Sequence, residues 1–96
     1  MSKVKIIGDT STDKEILEEK ITDLIKERLV AIKQQLLEIE SELTFYTKKY
    51  SLNEQEFLEK FTNGTLGDDE DYFMWEGTLN IKQKLVKEQE MLSELV

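Results

Sequence analysis

Four consecutive carboxylates, Asp68-Asp69-Glu70-Asp71, run directly into Tyr72 and form the densest group of potentially reactive side chains in this sequence. Two kinds of chemistry would use them. Oxygen ligands suit calcium or magnesium, and carboxylates three apart, such as Asp68 and Asp71, share a helical face as an acid and base pair would need. Spacing argues against the metal: with Asp69 as the first position of an EF-hand loop, the alternate positions are Asp71 and Phe73, and Met74 stands where that loop requires glycine. The acid and base pair lacks its usual company, because the chain has no histidine and no cysteine. The common neutral-pH base, the thiol nucleophile and the nitrogen and sulfur metal ligands are all missing. The expectation is a protein with no catalytic residues, no metal and no cofactor, hence not an enzyme.

The carboxylates belong to a wider acidic region. Residues 51–96 hold 4 basic and 11 acidic side chains, against 9 and 10 in residues 1–50, and the whole chain carries −8. That balance opposes the counterion-release binding to phosphates on which nucleic-acid recognition rests, so no direct nucleic-acid contact is expected. A basic protein partner fits better. The same region holds Phe57, Phe61, Tyr72, Phe73 and Trp75, and aromatics ringed by charge are common in protein-binding hot spots. Equally, Phe57, Phe61 and Trp75 suit a small core that braces a turn, and acids at a helix start complement its dipole. Asp68, Asp69, Asp71, Tyr72 and Trp75 are the candidate partner contacts here.

Helices must position these groups. Ile25, Leu29, Ile32, Leu36, Ile39, Leu43, Tyr46 and Tyr50 alternate four- and three-residue steps in a stretch free of proline and glycine, the seam of a helix that packs on other helices. Thr12 and Glu15 make a capping-box pattern that opens this helix, expected over residues 12–50; Ser51 to Glu54 repeats the pattern and opens a short one over 51–63. Asn63-Gly64 stops it, and a third helix is expected over 68–95. Gly77 interrupts that helix at about 1 kcal/mol relative to alanine, which suggests close packing against another helix. The fold class is all-α: one domain, 1–96, built as a long antiparallel, coiled-coil-like helical hairpin with a short helix at its turn.

Residues 1–11 form a strand or flexible arm, with Lys3 to Ile7 a short β-branched run ended by Gly8-Asp9. The first helix outlasts the third by roughly 11 residues, which leaves Ile16, Leu17 and Ile21 uncovered and makes them further candidate contacts. A second copy is one source of cover, so a homo-oligomer, specifically a dimer, is expected. Neither a signal peptide nor a membrane-length apolar run is present, and a cytoplasmic location without membrane contact follows as the default.

Tyr50, Phe57, Phe61, the turn Gly64-Thr65-Leu66-Gly67-Asp68, Asp71 and Trp75 together resemble small prokaryotic antitoxin-like helical-hairpin proteins, which share a Gly-x-Leu-Gly-Asp turn and a following tryptophan. That resemblance implies a cytoplasmic hairpin that binds and neutralises a toxin, with a basic ribonuclease or nucleotidyltransferase compatible with the acidic turn. The competing reading is a structural coiled-coil adaptor without inhibitory role. A third is an acidic mimic of nucleic acid that occupies a basic groove.

Overall fold

The computed structural model describes residues 12–96. The arm at 1–11, with its expected strand at 3–7, lies outside them, as does the cap expected from the Thr12 side chain. The described residues form an all-α hairpin of three helices, α1 (Thr12–Tyr50), α2 (Glu54–Thr62) and α3 (Glu70–Ser93). By contact the described residues divide into two compact units, one of those up to Gln35 together with Leu85–Val96 and the other of Leu36–Lys84.

α1 runs 39 residues without a break, as expected of a segment with neither glycine nor proline. It stops at Ser51, whose φ of 53° is left-handed. This corrects the expectation that Ser51 caps the short helix. The N-cap of α2 is Asn53, whose Oδ1 accepts from the Glu56 backbone N–H at 2.8 Å while Glu56 Oε1 accepts from the Asn53 N–H at 3.2 Å. Two residues are thus spent reversing the chain before the capping box begins. At its other end, Thr65 N–H donates to the Lys60 carbonyl and Gly64 N–H to that of Phe61, with Gly64 at φ 70°. That pair of bonds is a Schellman closure, which requires the left-handed residue that glycine supplies.

All eight seam residues of α1 are buried or half-buried, whereas Leu24, Val30, Leu37 and Phe45, which fall out of phase with the seam, are more than half exposed. Period alone therefore sorted this helix. In the first unit Ile32 is fully enclosed and Leu85 nearly so, and Arg28 donates to both carboxylate oxygens of Glu88 at 2.7 and 3.0 Å. Exposed pairs of this kind add little stability; this one shows which turns of α1 and α3 lie side by side. In the second unit Glu40 pairs with Lys82 and Lys49 with Asp71, so positions descend along α3 as they rise along α1, an antiparallel pairing.

α3 divides its apolar residues between two faces. Trp75, Leu79 and Leu85 point inward, with Tyr72, Val86 and Leu92 half-buried, while Phe73, Met74, Ile81, Met91 and Leu95 are 43–60% exposed. Gly77 does not pack closely against any other described residue: a Cβ placed there would meet none of their atoms within 4 Å beyond the helix's own backbone.

Candidate functional site

The second unit is organised around a stack of rings. Phe57 lies 3.8 Å from Trp75, centroid to centroid, at an interplanar angle of 10°; Tyr46 stacks on Trp75 at 5.6 Å, and Tyr50 lies 6.1 Å from it. Each helix supplies a part. Tyr46 and Tyr50 come from the end of the α1 seam, Phe57 from the inner side of α2, and Trp75 from the second turn of α3. Phe57 and Trp75 are 0% and 1% exposed, and Leu43, Tyr46 and Leu79 close the cluster. Such rings gain from area removed from water and from their mutual geometry.

Around this core the four carboxylates take different roles. Asp69 Oδ1 accepts from the Asp71 backbone N–H at 2.9 Å, so Asp69 caps α3. Asp71 is half-buried, and one of its oxygens accepts from Lys49 Nζ and from the Tyr50 hydroxyl, both at 2.6 Å. Those two donors hold the Asp71 carboxyl below its ordinary range, and the same contacts push Lys49 and the Tyr50 phenol upward. Asp68 and Glu70 stay exposed at the start of α3. Among the described residues, no three acidic side chains gather closely enough to hold a metal ion.

Beside the carboxylates lies a cavity of about 210 Å³ lined by Phe61, Gly64, Leu66, Gly67, Asp68, Tyr72 and Phe73. Phe61 and Phe73 meet edge to face at 5.8 Å. Its size falls below the roughly 300–1,000 Å³ of small-molecule pockets and suits a single large side chain. Gly67, at φ 90°, lets the chain turn tightly there without a side chain in the opening.

Not every candidate contact from the sequence is at this surface. Asp68 and Tyr72 line the cavity, whereas Asp69 caps α3 and Asp71 is held by Lys49 and Tyr50; Trp75 is a core residue, stacked on Phe57 and Tyr46 and 1% exposed. Ile16 and Leu17, 46% and 50% exposed, lie in the other unit, where Ile21 is half-buried. Sequence reasoning missed Lys49, because nothing local marks a partner 22 residues away. It also left Phe73 among the aromatics at large, although its offset from Tyr72 and Trp75 on a 3.6-residue period already turns it outward. Comparison of the chain with protein-family models, curated proteins and solved structures found no match. No helix among the described residues is long and apolar enough to cross a membrane.

Proposed function

We propose that this chain is a protein-binding module whose acidic, aromatic turn engages a basic partner, and that it acts as the antitoxin of a toxin partner in the cytoplasm. The observation that carries the reading is the cavity of about 210 Å³ lined by Phe61, Leu66, Tyr72 and Phe73, with Asp68 on its wall. An apolar anchor of the partner enters the cavity, and flanking Lys or Arg side chains meet Asp68 and Glu70. The rim charges speed encounter and select the partner's sign, while the anchor supplies most of the affinity.

The test is co-expression with the product of the neighbouring gene, followed by co-purification and a growth assay. Wild type is expected to co-purify and relieve growth inhibition. A chain carrying Asp68→Lys, Glu70→Lys and Phe73→Ala should lose both, with its helicity unchanged because all three positions are exposed. If the triple variant still binds, the turn is not the docking surface. If wild type binds without relieving inhibition, the antitoxin role is wrong and the binding module remains.

A further inference from the structure

The outer face of α3 carries a second seam. Met74, Gly77, Ile81, Lys84, Glu88, Met91 and Leu95 follow one another at alternating steps of three and four residues, the spacing of a and d positions in a coiled coil. Met74, Ile81, Met91 and Leu95 are 52%, 54%, 60% and 43% exposed, and the space above Gly77 is open. A glycine inside a helix weakens it, and among the described residues Gly77 receives no close contact in return. Its place on an apolar stripe is accounted for by a helix that approaches from outside.

The charges say which helix. In an antiparallel pairing of two α3 helices, a positions face d positions, and the register decides which residues meet. One register sets Ile81 against Met91, Lys84 against Glu88 and Gly77 against Leu95, each contact occurring twice about a two-fold axis level with Val86. Apolar meets apolar, cation meets anion, and the bulky Leu95, held in the turn after α3 by its N–H bond to the Leu92 carbonyl, meets the gap above glycine. Sliding by one heptad sets Ile81 against Lys84 and Gly77 against Glu88, which buries charge on apolar or empty positions. A parallel pairing stacks Lys84 on Lys84 and Glu88 on Glu88. Glu88 already accepts from Arg28, and its oxygens have lone pairs left for a lysine.

We propose that the outer face of α3 is a self-association surface on which a second copy of this chain docks antiparallel, in the register that joins Ile81 to Met91 and Lys84 to Glu88. The interface is isologous, so one surface serves both copies and the assembly closes at two. It lies apart from the Gly64–Gly67 turn and leaves that cavity open.

The chain contains no cysteine, which makes cross-linking a direct test. Ile81→Cys and Met91→Cys chains are prepared separately, then oxidised alone and as a mixture, alongside sedimentation of the wild type over a hundredfold concentration range. The expected result is a monomer–dimer equilibrium for wild type, a covalent dimer in the mixture, and at least tenfold less of it in either chain alone. Ile81→Glu, at an exposed position that spares the fold, should sediment as a monomer with wild-type helicity. Cross-linking of Ile81→Cys with itself would mean parallel pairing and overturn the register. A wild type that stays monomeric throughout, or an Ile81→Glu chain that dimerises as wild type does, would overturn the interface.

Discussion

Replacing Phe57 with alanine removes the ring on which the turn is assembled. Phe57 is 0% exposed, stacks on Trp75 at 3.8 Å, and meets the edge of Phe61 at 5.5 Å. Loss of a fully buried phenylalanine costs about 3–5 kcal/mol, the transfer of its ring plus the cavity left behind. For a domain of this size each kcal/mol moves the melting temperature by about 4–8 °C, so a fall of about 12–40 °C is expected. That is a large part of the roughly 5–15 kcal/mol available to a small domain. The assay is thermal unfolding followed by far-ultraviolet circular dichroism and by the fluorescence of the single tryptophan, Trp75, whose emission should shift red as the stack opens. Phe45→Ala is the matched control, since that ring is 57% exposed and its loss should change stability by no more than about 0.5 kcal/mol. A Phe57→Ala loss below about 1.5 kcal/mol, or one equal to that of Phe45→Ala, would refute the assignment of this stack as the core.

Two further outcomes are expected. Asp71, with its carboxyl held below the ordinary value of 3.8 by Lys49 and the Tyr50 hydroxyl, stabilises the fold above that value and loses this contribution as the pH falls through its depressed one. Asp71→Asn should therefore show a smaller drop in urea midpoint between pH 7 and pH 2 than wild type; an identical drop would show that the contact is not felt in solution. Gly77→Ala should stabilise the monomeric chain by about 1 kcal/mol, raising the melting temperature by about 4–8 °C, because the added methyl enters open space. Measured at concentrations low enough to keep the chain monomeric, a decrease would mean that the position is packed.

Helix identity and phase were legible in the residues because they depend on local period. The step pattern from Ile25 to Tyr50 placed the inner face of α1 correctly, and Gly64 marked the end of α2 through a backbone conformation that few other residues adopt. The cap of α2 was misplaced by two residues. Ser51-Leu52-Asn53-Glu54 and Asn53-Glu54-Gln55-Glu56 both offer capping pairs, and only the chain reversal through Ser51 decides between them. The site was legible in composition but not in role: four adjacent carboxylates look alike in sequence, yet one caps a helix, one binds Lys49 and Tyr50, and Asp68 and Glu70 remain exposed.

By itself, the sequence determined the three helices, the inward seam of α1 and the acidic character of the turn, since periodicity, caps and charge count act over a few residues. Period set Phe73 and Trp75 on opposite faces of α3, and the tertiary structure decided which of those faces is covered. Trp75 and Phe73 lie two residues apart in the same helix, and their fates diverged because α1 and α2 close over one side of α3 alone. The tertiary structure alone also showed that Met74, Gly77 and Ile81 face outward. Burial is a property of neighbours distant in sequence, and no local pattern records whether such neighbours arrive.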